Sequence, residues 1–229
     1  MATYYGDAYA NTIGPYSGPN TIYGGAGNDT IYGYTDNDRL SGDDGDDQIT
    51  GWFGNDTIFG GNGNDFLDGW DNNDIIYGEA GNDTIYGGNN ADTINGGAGN
   101  DYIYGDDDTE LGQDVLTGGA GNDTIEGGSD NDYYIFNFDS DGQDYYYDSQ
   151  GSYDTVRVNG VTNISQLTIT SAANYGGSAN NLVIHKDGTL AEYVQLHDFY
   201  SGGGFGAGRI EYLDVNGSVF WLSDYIDAV

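Results

Sequence analysis

Residues 24–32 read Gly24-Gly25-Ala26-Gly27-Asn28-Asp29-Thr30-Ile31-Tyr32, and the pattern returns every nine residues. Units in step with it begin at Gly33, Gly42, Gly51, Gly60, Gly69, Gly78, Gly87 and Gly96. The unit from Gly105 to Thr117 is thirteen residues long, a four-residue insertion, and two more begin at Gly118 and Gly127. Before Gly24, the stretches Gly6–Gly14 and Pro15–Tyr23 keep the frame, with Asn11 and Asn20 where Asp is expected. Such a period marks a solenoid, whose units pack only on their neighbours.

Two columns of the repeat carry the physics. The sixth position reads Asn11, Asn20, Asp29, Asp38, Asp47, Asp56, Asp65, Asp74, Asp83, Asp92, Asp101, Asp114, Asp123 and Asp132. The eighth is Ile or Leu from Ile13 to Ile125 and Tyr at Tyr134. One apolar residue between outward neighbours predicts a three-residue strand with one inward side chain. The glycine-rich hexad before it predicts a turn, where Gly permits positive φ. Stacked, these give a parallel solenoid around a thin Ile and Leu ladder. Burying one Ile contributes roughly 1.5–3 kcal/mol. Ordering nine residues costs ~1–2 kcal/mol each. Apolar burial alone does not fold this chain, so strand hydrogen bonds and bound cations must supply the rest.

Composition points the same way. The 229 residues include 41 Gly, 38 acidic and 4 basic side chains, for a net charge of −34. That field repels nucleic acid and anionic lipid and opposes compaction unless cations neutralise it. Low hydrophobicity with high charge suggests disorder, yet 22 Tyr, 8 Phe and 3 Trp are too many for a disordered tail. The absence of Cys excludes disulfides and thiolate sites. Met1 to Asn20 shows no ordinary signal peptide. No apolar run approaches the ~20 residues of a membrane span.

Calcium is the cation these residues suit. It takes six to eight oxygen ligands, carboxylates and backbone carbonyls among them. The sixth-position Asp offers the first; the turns offer the second, with Gly25, Gly27, Gly61, Gly63, Gly97, Gly99, Gly119 and Gly121 at the consensus positions. No Cys or His lies in the repeats, so zinc and copper lack preferred ligands. Magnesium keeps its waters and fits less well. Lone Asp residues could be turn formers without metal; twelve at one phase of the period are read as metal ligands.

The motif Gly-Gly-x-Gly-x-Asp-x-(Leu/Ile)-x, in residues 6–135, resembles the nonapeptide of repeats-in-toxin (RTX) proteins. The resemblance implies a right-handed parallel β-roll with two units, eighteen residues, per coil, and calcium between successive turns of one edge. One edge would use Asp29, Asp47, Asp65, Asp83, Asp101 and Asp123; the other would use Asp38, Asp56, Asp74, Asp92, Asp114 and Asp132. Six Asp per edge leave five gaps, so up to about ten calcium ions are expected.

The edges differ in composition. Turns at Gly24, Gly60, Gly96 and Gly118 keep Gly-Gly-x-Gly, whereas the interleaved turns carry Tyr16, Tyr34, Trp52 and Trp70 as second residues, eighteen apart. Their fourth residues include Asp36, Asn72, Asn90 and Asp130, the next-best types after Gly for left-handed geometry. Calcium is expected to bind more weakly there. The aromatic column is either rings packed on one another to shield the turns or a contact stripe for another protomer or a polysaccharide.

Past residue 135 the period stops. Thr155–Val158, Leu167–Thr170, Leu182–His185, Tyr193–Leu196, Arg209–Leu213 and Ser218–Leu222 read as strands, with turns at Lys186-Asp187-Gly188 and Asn216-Gly217. The expected organisation is a β-roll over residues 1–135 and a small antiparallel β cap over 136–229, in an all-β chain. Asp139–Asp148 resembles the exit segment of such rolls, and 182–226 resembles the C-terminal domain of RTX proteins. The tail Asp224–Val229 is similar to uncleaved type I secretion signals, which implies a secreted or cell-surface protein.

No catalytic constellation appears. His185 and His197 fall in predicted strands, outside any metalloprotease helix or nucleophile elbow. The leading expectation is a non-enzymatic, secreted calcium-binding protein that folds on meeting extracellular calcium and stacks end to end into homo-oligomers, filaments or a surface layer. The alternatives are a calcium-folding and secretion module of a larger secreted enzyme, and a carbohydrate-binding surface protein.

Overall fold

The computed structural model describes residues 1–106, 112–138, 140–147, 153–171, 182–186, 193–196 and 210–222. The first strands are β1 (Ala2–Tyr5), β2 (Thr12–Ile13), β3 (Asn20–Ala26), β4 (Thr30–Tyr34), β5 (Arg39–Asp44), β6 (Gln48–Phe53), β7 (Thr57–Asn62) and β8 (Phe66–Asp71). Then follow β9 (Ile75–Ala80), β10 (Thr84–Asn89), β11 (Thr93–Ala98), β12 (Tyr102–Asp106), β13 (Val115–Ala120), β14 (Thr124–Glu126), β15 (Tyr133–Asn137) and β16 (Gln143–Tyr147). The last are β17 (Asp154–Asn159), β18 (Leu167–Ser171), β19 (Leu182–Lys186), β20 (Tyr193–Leu196), β21 (Ile210–Val215) and β22 (Ser218–Trp221). Among the described residues the only helical element is a 3-10 turn, Ile164–Gln166, and no helix is long and apolar enough to cross a membrane.

From β1 to β18, consecutive strands alternate between two sheets, each of 11 strands among the described residues. In the roll each strand pairs in parallel with the one eighteen residues on: Ile22 faces Leu40, Leu40 faces Ile58, and Ile31 faces Ile49. Across the insertion the step becomes 22, so Ile94 faces Leu116. The insertion therefore leaves the ladder in register. The pairing also reaches back before the first sequence unit, with Tyr4 opposite Ile22. Every eighth-position residue from Ile22 to Tyr134 is buried, at 1% exposure or less, between the sheets.

The strands are longer than the expected three residues. β7, β9, β10 and β11 each span six and take in the first residues of the next unit. From Gly18 to Asp130, among the described residues, positive φ belongs to the second and fourth positions, as at Gly61 (117°) and Gly63 (137°). The first Gly is an inward strand position. A Cβ on Gly24 would lie 2.5 Å from Asp29 Oδ2 and 2.6 Å from the Gly42 carbonyl, so this glycine is required for closeness, not for turn geometry.

After residue 135 the strands are mixed where an antiparallel unit is expected. β17 and β21 extend one sheet in parallel, and β16 and β20 extend the other. The apolar ladder continues with them: Tyr134 faces Val156, and Ile125 faces Tyr146, which faces Leu196. Antiparallel pairing is confined to the outer strands, β18–β19–β20 and β21–β22. The β21–β22 hairpin turns on Asn216 (φ 51°) and Gly217 (φ 80°), the pair read from the sequence. Arg157 Nε pairs with buried Asp214 Oδ2 at 2.8 Å. His185 is buried in β19, with its Nδ1 3.3 Å from the Lys186 carbonyl. His197, Arg209, the turn residues Asp187 and Gly188, residues 139 and 148 of the exit segment, and the tail Asp224–Val229 lie outside the described residues.

Candidate metal centre

The end of each turn places its Asp against the next coil. The Asp29 N–H donates to Asp47 Oδ1 at 2.7 Å, and Asp47 N–H to Asp65 Oδ1 at 2.8 Å; the series runs on through Asp83, Asp101 and Asp123. The other edge repeats it: Asp38 N–H to Asp56 Oδ1 at 2.7 Å, then Asp74, Asp92, Asp114 and Asp132. Each carboxylate thus spends Oδ1 on closing a turn one coil away. This accounts for one backbone donor per turn that the strands cannot satisfy.

The second oxygen has no such use. Oδ2 of all twelve of these Asp is buried with no hydrogen-bond partner among the described residues. A buried, unpaired carboxylate oxygen is costly. Burial, above all, pushes these groups up, and neighbouring carboxylates add to the push. The N–H bond to Oδ1 pulls the other way. On the first edge Asp29 is raised, Asp47, Asp83, Asp101 and Asp123 reach about 6, and Asp65 about 7. On the second edge the rise is steeper: Asp38 about 6, Asp56 about 7, Asp74 and Asp132 about 8, Asp92 and Asp114 about 9.

The arrangement fits a divalent cation with oxygen ligands. Near the first-position glycines from Gly24 to Gly105, one orphaned carboxylate oxygen and a carbonyl oxygen of the next coil converge on the hollow left by the missing side chain, as at Gly24 and Gly87. Among the described residues no three acidic or histidine side chains gather at one point. The donor set is therefore spread along a column, carboxylate and carbonyl together, which suits calcium better than zinc.

Turn geometry is the same on both edges. Gly25, Gly27, Gly61, Gly63, Gly97, Gly99, Gly119 and Gly121 have positive φ; so do Asp36, Asn72, Asn90 and Asp130, and even Tyr34 (93°), Trp52 (75°) and Trp70 (85°). The four aromatic residues are in backbone register, with Tyr16 bridged to Tyr34, Tyr34 opposite Trp52, and Trp52 opposite Trp70. Their rings do not form one stack. Within the column only Trp52 and Trp70 come together, centroids 4.6 Å apart, whereas Tyr16 stacks on Tyr4 at 3.7 Å. Other ring pairs lie along the sheets: Tyr5–Tyr23, Phe59–Tyr77 and Tyr86–Tyr104.

Two members of the acidic columns escape the nine-residue ruler. Asp123 N–H donates to Asp144 Oδ1 at 3.1 Å, and Asp132 N–H to Asp154 Oδ1 at 2.8 Å. Both residues are buried, and burial raises Asp144 to about 8. Their glycine turns are gone, but the sequence retains Asp144-Tyr145-Tyr146 and Asp154-Thr155-Val156. Asp followed two residues on by an inward apolar residue is the part of the motif that could have found them. At the other end Asn11 and Asn20 hold the same places, each donating its N–H to the next Asp Oδ1 at 2.6 Å.

Two parallel sheets wound from eighteen-residue coils, with an acidic column along each edge, define a calcium-binding β-roll. The family model of the RTX calcium-binding nonapeptide repeat (4 copies) matches residues 16–49, 50–85, 86–111 and 108–143, and the chain belongs to this family. It has no match among curated proteins. Among solved structures it is similar to the crystal structure of extracellular lipase LipA from Serratia marcescens, at 17% identity and a TM-score of 0.31. That likeness covers 81% of this chain and 38% of the lipase chain.

Proposed function

We propose that the chain is a secreted structural protein whose roll is folded by calcium held in the two acidic columns. The observation that carries this reading is the unbroken run of buried, unpartnered Oδ2 atoms from Asp29 to Asp132. Asp29, Asp47, Asp65, Asp83, Asp101 and Asp123 serve one edge, and Asp38, Asp56, Asp74, Asp92, Asp114 and Asp132 the other. Where calcium is scarce, as in a cytosol, the −34 chain stays unfolded and exportable. Outside, calcium near 1 mM against affinities of ~10⁻⁴–10⁻³ M contributes about 0.4–1.4 kcal/mol per independent site. Several coupled sites exceed a domain's stability margin.

The finer part of the reading is a non-catalytic role built on end-to-end contacts. It draws on the repeat itself: every coil offers the same parallel strand edges to whatever packs next to it, and such edges recruit other strands. The outer strands past residue 135 would close one end of the roll. Circular dichroism of the full chain, with calcium and with chelator, tests the folding claim: a β spectrum is expected only with calcium. Sedimentation in millimolar calcium tests assembly, and a monomer at every concentration would remove that part.

A further inference from the structure

Two columns of outward side chains are interrupted at the same level of the roll. The Trp52–Trp70 pair ends because the next coil presents Gly88 opposite Trp70. Two residues back along the strands, the column that reads Tyr32, Thr50, Asp68, Tyr86 and Tyr104 sets Asp68, not a ring, opposite Tyr86. The double interruption opens a groove of about 350 Å³ lined by Phe66, Asp68, Trp70, Tyr86, Asn89 and Asp106, together with the backbone of Gly88 and Gly105. Its walls are aromatic: Phe66 is 38%, Trp70 40% and Tyr86 37% exposed. Both ring partners of Trp70, Trp52 and Phe53, come from the coil before it, so the Gly88 side carries no ring.

The charged side chains of the groove are both carboxylates, Asp68 and Asp106. Asp68 makes no hydrogen bond or ion pair among the described residues. Asn89 spends its amide N–H on Asp71, and its Oδ1 is buried without a partner. Asp106 accepts the Gly112 N–H at 3.1 Å and is buried at the groove's edge. Nothing basic lines the site, and the whole chain carries −34. Trp70 itself sits at φ 85°, a conformation glycine adopts freely and a bulky residue holds under strain. The fold therefore tolerates strain to keep an indole where Gly would be easier.

We propose that this groove binds a primary alkylammonium group, with the aromatic walls taking the alkyl stem and the Asp68 carboxylate taking the ammonium. An ammonium brings three N–H donors and no acceptor, matching a carboxylate set beside aromatic faces. Aromatic faces beside a desolvated cation add cation–π attraction. The polar rim and negative field favour a cation over a neutral alcohol of the same shape.

The test is calorimetric titration of the full chain in calcium buffer with n-pentylammonium, n-pentanol and an N-acetylated lysine amide, folding being checked for each variant by circular dichroism. Pentylammonium should bind saturably and about tenfold more tightly than pentanol. Asp68→Asn and Trp70→Gly should each weaken it about tenfold, while Trp221→Ala, on the distant β22, should not. Trp70→Gly suits the local φ, so it separates lost binding from lost folding. Binding of the lysine amide alongside pentylammonium would identify lysyl side chains as the source of the cation. Binding of pentylammonium alone would identify free amines; either result supports the site. Equal binding of pentanol, or an undiminished response in folded Asp68→Asn, would overturn it.

Discussion

The two edges of the roll share one backbone and differ in what covers it. On the first edge the turns carry Gly with small or acidic residues such as Ala26, Asp43 and Glu79 and no aromatic ring, and Asp47 through Asp123 stay near 6 to 7. On the second, Tyr34, Trp52 and Trp70 stand on the turns that lead to Asp38, Asp56 and Asp74, and deeper burial with the neighbouring Asp106 charge takes the column to about 9 at Asp92 and Asp114. The lesson is that left-handed turn geometry and carboxylate hydration are set separately. Trp52 and Trp70 satisfy the first as Gly does, at a cost in strain, while crowding changes the second. Calcium must therefore displace more proton from the second edge than from the first near neutral pH.

The largest expected effect concerns the whole roll without metal. These Asp have folded values above the ordinary 3.8, so the folded chain binds more protons than the unfolded one between about 4 and 9. Stability in chelator is then fully present below about pH 4 and is lost as pH rises through the folded values. Circular dichroism in chelator should show β structure gained on acidification. By the same linkage, the calcium midpoint should fall as pH rises, and more steeply for the second edge. A calcium midpoint independent of pH would break the distinction between the edges.

Truncating one column member comes next. Asp83→Ala and Asp92→Ala each strip an acceptor from a buried N–H, that of Asp65 or Asp74, and remove an oxygen from the column. Each should cost about 2–4 kcal/mol in calcium by urea denaturation. Crowding the cradle should cost less: Gly60→Ala sets a Cβ against Asp65 Oδ2 and the Gly78 carbonyl, for a loss of about 1–3 kcal/mol. The smallest effect is Trp52→Gly, which trades ring contacts for relief of a strained φ and should change stability by less than about 1 kcal/mol.

Much of this was legible in the chain because a nine-residue ruler with one inward side chain leaves few ways to pack. Ile22, Leu40 and Ile58 fall in one sheet, and Ile31, Ile49 and Leu67 in the other, as an eighteen-residue coil requires. The ruler fails where glycine stops. Asp144 and Asp154 continue the columns 21 and 22 residues on, with turns built from other residues, so position alone cannot mark them. Strand length was missed for a related reason: the first Gly reads as a turn former, yet it lies in a strand because only Gly leaves room for the Asp carboxylate. The aromatic column was legible as spacing but not as ring contact, since side-chain rotamers let Tyr16 turn toward Tyr4 instead of Tyr34.

The central claim is that cations, not the thin apolar ladder, settle the fate of the buried carboxylates. Asp92→Asn tests it most directly, because the amide keeps the Oδ1 acceptor for the Asp74 N–H and removes only the charge. Unfolding free energies of this variant and the parent at pH 8, in calcium and in chelator, should differ in opposite directions. The account predicts that the variant is the less stable chain in calcium and the more stable one in chelator. A variant that loses stability equally in both, or in neither, would contradict it.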